Sequence, residues 1–192
     1  FLIASHTGYM PPTIRSRCRL VRMTRLPSDA CMSVLSRVLP DIDTNRLEIL
    51  GKLSTGAPGQ AVKLAQSGSA DLYEAACALL QSTPLDQLAL ANLCAKWGRG
   101  VATGREIRAG AVFCINRLLR YAALWASEIR ADELCGFEIP VIERLATSHS
   151  AVQLARFHGD FVKNAAKAER LFLDFPRFLE RHLTKIYEKS LL

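Results

Sequence analysis

Apolar residues recur at steps of three and four along almost the whole chain from Ser28 onward, which is the spacing of amphipathic α-helices. Proline and glycine interrupt this pattern at intervals and separate one predicted helix from the next. Three helices are predicted before Ser67. The first starts at Pro27-Ser28-Asp29, and the second follows Asp43 and has Leu47, Leu50 and Leu53 on one face. The third spans Pro58 to about Gln66. Beyond Ser69, helices are predicted from about residue 70, after Thr83 as N-cap with Pro84 at the first helical position, and over about 105–130, 139–147, 150–169 and 175–189. The pattern therefore predicts a mainly α protein.

The N-terminal segment is the exception to the helical pattern. Two short runs, Phe1 to Ala4 and Cys18 to Met23, are predicted as strands, and the turn-rich stretch Gly8 to Pro12 joins them. The chain has neither an initiator Met nor a signal peptide, so we expect a fragment that begins inside a larger protein. The small polar stretch Ser67-Gly68-Ser69 is the best candidate for a flexible domain boundary. The sequence thus predicts a small α/β remnant followed by two helical units, one on each side of this stretch.

The formal charge of +7 is unevenly distributed. Residues 1–25 contain Arg15, Arg17, Arg19, Arg22 and Arg25, while all 18 acidic residues lie beyond them. The rest of the chain is therefore close to neutral, which argues against a protein that coats DNA over a whole face. The local cluster favours contact with one anionic group or one partner, and a solvated basic strand edge is the simpler alternative.

The sequence carries no self-contained catalytic or metal site. Six widely spaced cysteines without a C-x-x-C pair are predicted to be reduced thiols that act as small apolar side chains, as in a cytoplasmic protein. The four histidines do not fall at zinc-ligand spacing from cysteines, so no metal is expected. The stretch Gly98 to Arg105 lacks the Lys and the spacing of a phosphate-binding loop, so neither ATP nor another cofactor is expected to bind this chain alone. No run of about 18 apolar residues is present, so no membrane span is expected.

The segment Pro12-Thr13-Ile14-Arg15-Ser16-Arg17-Cys18, which follows Phe1 to His6 after a short turn, resembles the second half of the AAA+ domain of bacterial clamp-loader subunits. Two weaker stretches agree with it in order along the chain. Leu53 to Ala61 resembles the Gly-Ser-Pro-Gly-Arg turn of the lid domain, with Gln60 in place of Arg, and Leu171 to Asp174 resembles an L-N-L-D segment near the C-terminus, with Phe172 in place of Asn.

This resemblance implies the end of an AAA+ α/β domain (1–25), a small helical lid domain (26–67) and a C-terminal helical-bundle collar domain (70–192) that oligomerises. Arg17 would be an arginine finger inserted in trans into the ATP site of the neighbouring subunit. Ser16 and Cys18 would hold the shape of the loop, with Cys18 packed inward, and Arg15 would be a second basic group beside them. Ser5 falls where ATPase relatives keep a polar sensor, which a subunit that does not hydrolyse ATP has no use for. On charge and position alone, Arg17 would be an ordinary surface residue.

The function implied is that of a non-hydrolysing clamp-loader subunit that holds the loader ring together. Its partners would be loader subunits of the gamma/tau and delta types and, indirectly, the sliding clamp and primer–template DNA. Two alternatives remain: an ATP-hydrolysing gamma/tau-type subunit, which shares the S-R-C motif, and a free-standing helical DNA-binding protein. In the collar, Arg117, Arg120 and Tyr121 flank the apolar face of the longest helix and are predicted to meet a neighbouring subunit.

Overall fold

The structure is a computed structural model that describes residues 2–4, 8, 10–98 and 104–188. Within these residues the chain forms ten helices and no strand. They are α1 (Pro12–Arg15), α2 (Ser28–Val38), α3 (Thr44–Ser54), α4 (Pro58–Gln66), α5 (Ser69–Gln81), α6 (Gln87–Gly98), α7 (Gly104–Ala126), α8 (Ile139–Ser148), α9 (Ala151–Arg170) and α10 (Phe175–Glu188). The prediction of a mainly α protein is confirmed.

The two predicted strands are absent from the described residues. Leu2 to Ala4 and Cys18 to Met23 have no regular structure, and their side chains are exposed. A strand is stable only when a neighbouring strand satisfies its backbone groups, and no other described segment supplies one. The periodicity of two apolar runs was therefore not sufficient to form a sheet.

The helix ends follow local capping chemistry. The Asp43 carboxylate accepts a hydrogen bond from the Arg46 backbone N–H at 3.0 Å and begins α3 as predicted. The predicted cap at Thr83 is wrong, because α6 begins only at Gln87 and Asp86 Oδ1 accepts from the Ala89 N–H at 2.9 Å. The carboxylate that we placed inside the first turn is thus the cap itself.

The longest helix, α7, ends at Ala126, four residues earlier than predicted. The N–H groups of Glu128 and Ile129 bond to the carbonyls of Trp125 and Leu124, both at 3.0 Å. This is the Schellman arrangement, in which the residue after the cap turns into the left-handed region, and Glu128 has φ +62°. Ile129 consequently lies outside the helix and is exposed.

One continuous apolar core extends from Cys31 and Leu35 in α2 to Ile186 in α10, and α7 crosses its centre. The segment Ser67 to Ser69, predicted to be a flexible boundary, is only partly exposed, and its last residue packs against α7. Ser69 is fully buried, and a Cβ added to Gly110 of α7 would lie 2.1 Å from the Ser69 hydroxyl oxygen. The division into separate lid and collar domains stays a prediction, but the two sets of helices share a close contact here.

None of the helices in the described part of the chain is both long and apolar enough to cross a membrane.

Candidate functional site

The segment that carries the proposed trans-acting arginine forms a single helical turn with an exposed end. Pro12 occupies the first turn of α1, and the Ser16 hydroxyl donates a hydrogen bond to the Thr13 carbonyl at 3.2 Å. The Arg17 backbone N–H bonds to the Ile14 carbonyl at 3.1 Å. Ser16 therefore contributes to the shape of the turn, and the next residue, Arg17, has an exposed side chain.

Cys18 does not pack inward as we predicted. Its side chain is exposed and its thiol is free. Residues 11–30 are all exposed, so no neighbouring element covers the inner side of the turn. A buried position for Cys18 would require a packed layer that the described residues do not form around it.

Four of the five clustered arginines, Arg15, Arg17, Arg19 and Arg22, form no side-chain hydrogen bond or ion pair within the described residues. Their guanidinium groups remain charged at any physiological pH and present donors to solvent. The segment is thus an exposed polycation with no acid within its own length. This arrangement can bind an anionic group of another molecule.

Arg25 is different, because it attaches the base of the segment to the end of α3. Its guanidinium donates to the Thr55 carbonyl at 3.0 Å and contacts the Thr55 hydroxyl, and the Leu26 N–H bonds to the Gly56 carbonyl at 2.8 Å. Gly56 has φ +78°, and a Cβ there would lie 2.3 Å from the Leu26 carbonyl oxygen. Only glycine fits this turn without strain.

A small cavity of about 70 Å³ adjoins this attachment and is lined by Arg25, Arg117, Arg120 and Tyr121, among others. We predicted that the last three flank the bundle and face a partner, and for two of them this is wrong. Arg117 is 6% and Tyr121 5% exposed, and only Arg120 is on the surface. Helical spacing placed them beside the apolar face, but the segment between α7 and α8 supplies hydrogen-bond partners to Arg117, and the Tyr121 ring packs against the Arg117 guanidinium.

Arg117 is the centre of a buried polar network. Its Nε donates to Glu138 Oε1 at 2.8 Å, and its other nitrogens donate to the carbonyls of Leu53 at 3.3 Å and Glu133 at 2.6 Å. Burial by itself lowers the pKa of Arg117, but the hydrogen bonds and charge of Glu138 outweigh it and raise that pKa above its usual value. The Arg117 guanidinium therefore stays charged, and its hydrogen bonds link the end of α3, α7 and the start of α8.

Glu138 is fully buried and has further donors around it. The Tyr73 hydroxyl donates to Oε1 at 2.8 Å, and the Cys135 N–H donates to Oε2 at 2.8 Å. Burial first, and then the nearby Cys77 and Glu138, raise the pKa of Tyr73 well above its usual value, so the hydroxyl stays a donor. Every group in this network is satisfied by another, which is the signature of a structural site and not of a reactive one.

Five of the six thiols are buried. Cys31, Cys77, Cys94, Cys114 and Cys135 are all buried and free, as predicted for small apolar side chains. Burial raises the pKa of Cys94 and that of Cys135 each to about 12, and it raises the pKa values of Cys77 and Cys114 well above the usual range. Because the thiolate is the nucleophile, none of these four can act as one at neutral pH.

The histidines of the described residues are engaged in local contacts. His182 Nδ1 lies 2.7 Å from the Phe178 carbonyl, and His158 Nε2 contacts Asn116 Oδ1. Among the described residues, no group of three His, Cys, Asp or Glu side chains is placed to hold a metal ion. Ser5, His6 and most of the Gly98 to Arg105 stretch lie outside the described residues.

Sequence reasoning missed one further charged surface, a cleft between α9 and α10 lined by Lys167, Arg177, Arg181 and Lys185. The signal was present, because the last three are spaced by four residues on one predicted helix. It was obscured because acidic residues elsewhere bring the total charge beyond residue 25 close to zero.

No protein-family model matches the chain, and neither a curated protein nor a solved structure is significantly similar to it.

Proposed function

We propose that the chain belongs to a non-hydrolysing clamp-loader subunit of the delta-prime type, part of the bacterial DNA polymerase III holoenzyme in the cytoplasm. The observation that carries the proposal is the P-T-I-R-S-R-C segment with its exposed Arg17, whose guanidinium has no partner among the described residues. The subunit would hold the loader ring together and donate this arginine to the ATP site of a gamma/tau-type neighbour.

The chemistry of an arginine finger suits such a side chain. A guanidinium is always charged, and its rigid set of hydrogen-bond donors matches the oxygens of a phosphoryl group in the transition state of transfer. It needs freedom from internal acids, since an ion pair within its own chain would compete with the phosphate. The attachment of Arg25 and Leu26 to the turn at Thr55 and Gly56 would give the exposed segment a fixed base.

Arg17→Ala in the intact subunit tests this role. We expect assembly to be unchanged and ATP hydrolysis by the reconstituted loader to fall, because an arginine supplied in trans contributes roughly 10³–10⁵ in rate in GTPases. The loss should be partial, since only the site that faces this subunit depends on it. Arg19→Ala is the matched control, an exposed arginine two residues further on. If both variants lower ATP hydrolysis equally, or neither lowers it, Arg17 is an ordinary surface residue and not an arginine finger.

The collar role requires the helices, and not the exposed segment, to hold the ring. No residue among the described part of 2–24 is buried, so removing residues 1–24 leaves the core and the Arg25 attachment in place. We expect the shortened chain to co-purify with the other loader subunits. If it fails to do so while its helix content by circular dichroism is retained, the collar assignment is wrong.

A gamma/tau-type ATPase subunit remains the second candidate, because the S-R-C motif is shared with that type. The two differ in whether a G-x-x-x-x-G-K-[S/T] loop is present in the same protein. Calorimetry with the 192-residue chain should show no ATP binding for either type, and micromolar affinity would contradict both assignments.

A further inference from the structure

The cleft between α9 and α10 has a volume of about 410 Å³ and a strongly basic lining. Lys167 contributes from α9, and Arg177, Arg181 and Lys185 contribute from α10. Among the described residues, Asp174 is the only carboxylate that lines it. Asp174 lies 3.7 Å from the Arg177 guanidinium and caps α10 through the Arg177 N–H at 3.2 Å. The cleft thus carries a net positive charge although the chain around it is nearly neutral.

The three cations of α10 form a row. Side chains four residues apart lie on one face of a helix, separated by about 6 Å along its axis. Glu180, the acidic residue within the row, does not line the cleft, and its charge contributes, after burial, to the raised pKa of Cys94 in α6. The row is therefore not neutralised from its own helix, and it can follow a chain of regularly spaced anions.

The floor of the cleft is aromatic and uncharged. The rings of Phe178 and His182 lie 4.3 Å apart, and His182 Nδ1 lies 2.7 Å from the Phe178 carbonyl. Burial, with the nearby Arg181 and Lys185, lowers the pKa of His182 below its usual value, so the imidazole is neutral at pH 7. The positive charge is thus confined to the flexible side chains around the floor.

A second cavity, of about 460 Å³, adjoins the first at Leu173 and extends the basic surface to Arg105 and Arg108 of α7. Arg105 lies 3.3 Å from Glu169, and Arg108 has no ion pair within the described residues. Phe172 lines this second cavity with its side chain 95% exposed. An exposed aromatic ring therefore lies beside the cations of the second cavity, next to the residue that the two cavities share.

The backbone fixes that ring in its position. Phe172 has φ +52° and completes a Schellman turn after α9, in which the Leu173 N–H bonds to the Ala168 carbonyl at 3.0 Å. The left-handed region is costly for a residue with a Cβ, and asparagine or glycine would satisfy the turn better. The turn itself does not require a phenyl ring, and the core does not use it.

We propose that this surface binds single-stranded nucleic acid, with phosphates in the α9–α10 cleft and a base stacked on Phe172. Cationic grooves beside exposed aromatic rings are the means by which proteins hold single strands without reading their sequence. A duplex would offer the same phosphates but keep its bases stacked on one another, and a lipid surface or an acidic peptide would leave the ring without a flat partner. The inference does not depend on the proposed clamp-loader function.

Fluorescence anisotropy of a labelled oligothymidylate, titrated with the 192-residue chain over a series of salt concentrations, tests the charges. The variant R177Q/R181Q/K185Q removes the row, and R15Q/R19Q/R22Q is a control of equal charge in the exposed N-terminal segment. Each phosphate contact contributes about 0.7 to the slope of log affinity against log salt on a single strand. We expect the row variant to lose about 2 from that slope and about tenfold or more in affinity at low salt, with its helix content unchanged. If the control variant loses affinity and salt slope while the row variant binds normally, the site lies in the N-terminal segment and the proposal is wrong.

Phe172→Trp tests the stacking. Trp97 is fully buried and Trp125 is half-buried, so a tryptophan at 172 is the most exposed indole among the described residues. Oligothymidylate should quench its fluorescence, whereas heparin, vesicles containing phosphatidylserine and a DNA duplex should not. Quenching by all four, or binding to vesicles in preference to the oligonucleotide, would overturn the single-strand assignment.

Discussion

Arg117 was predicted to be exposed at the surface, but it is buried and links several helices through its hydrogen bonds. Its guanidinium lies 2.8 Å from Glu138, within a network that reaches the Leu53 carbonyl on another helix. Helical periodicity placed Arg117 beside the apolar face but could not show that residues 127–138 would cover it. A buried ion pair of this kind contributes little net stability by itself. Removing one partner is nevertheless costly, because it leaves an unpaired charge in the core where water cannot solvate it.

Arg117→Met is therefore expected to lower the free energy of unfolding by about 3–5 kcal/mol, since it leaves the Glu138 carboxylate buried without its cation. Arg120→Met is the matched control on the same helix, with an exposed side chain, and should change it by less than about 0.5 kcal/mol. Urea denaturation followed by circular dichroism measures both. Similar losses for the two variants would show that the network does not carry the difference.

The histidines make the stability depend on pH in a defined direction. Burial, and then the charge of Arg120, lowers the pKa of His158, and burial is also the largest cause that lowers the pKa of His182. In the unfolded chain both have a pKa of about 6.5, so the unfolded state takes up protons first as the pH falls. The free energy of unfolding should be greatest above pH 6.5 and decrease from there toward pH 5. The variant H158Q/H182Q should show a flatter profile over this range, and an unchanged slope would mean that other groups cause it.

Among the helices and strands, the sequence predicted best those features that depend on residues within one helical turn of each other. The start of α3 after Asp43 and the apolar positions Leu47, Leu50 and Leu53 were predicted correctly, because they depend on contacts three and four residues apart. The two strands were wrong, since strand formation depends on a partner that local pattern cannot supply. The end of α7 was also misplaced, because Glu128 adopts a left-handed conformation that no property of glutamate favours.

Two substitutions at turns test the same conformational argument in opposite directions. Glu128→Gly should raise the free energy of unfolding by about 0.5–1 kcal/mol, because glycine adopts φ +62° without the strain of a Cβ. Gly56→Ala should lower it by more than this, because its Cβ would lie 2.3 Å from the Leu26 carbonyl oxygen. Thermal unfolding of both variants measures the pair. A stabilised Gly56→Ala would show that the contact with Leu26 is not maintained.

For the whole molecule, the candidate site could be predicted only in part. The exposed basic segment around Arg17 follows from charge alone, since five arginines without an acid cannot be buried. The inward position of Cys18 failed because it depends on a layer of structure that the described residues lack around it. The spacing of Arg177, Arg181 and Lys185 indicates the basic row on α10, but the α9–α10 cleft could be found only by bringing Lys167 of α9 beside it.

The helices before and after Ser67-Gly68-Ser69 are expected to unfold as one unit, although the sequence suggested a domain boundary there. The core is continuous across that point, Arg46 of α3 pairs with Asp71 and Glu74 of α5, and Arg117 of α7 bonds to the end of α3. Circular dichroism reports all helices, whereas Trp97 and Trp125 report only α6 and α7. In urea the two signals should have the same midpoint.

Core truncations on each side of the boundary sharpen this test. Leu50→Ala in α3 and Leu118→Ala in α7 both remove a fully buried side chain, at a cost of about 2–5 kcal/mol. In one cooperative unit, either variant lowers the midpoints of both signals together. If Leu50→Ala shifts the circular dichroism and leaves the tryptophan transition in place, α2 to α4 unfold independently, and the boundary inferred from the three small residues is a true domain boundary despite the shared core.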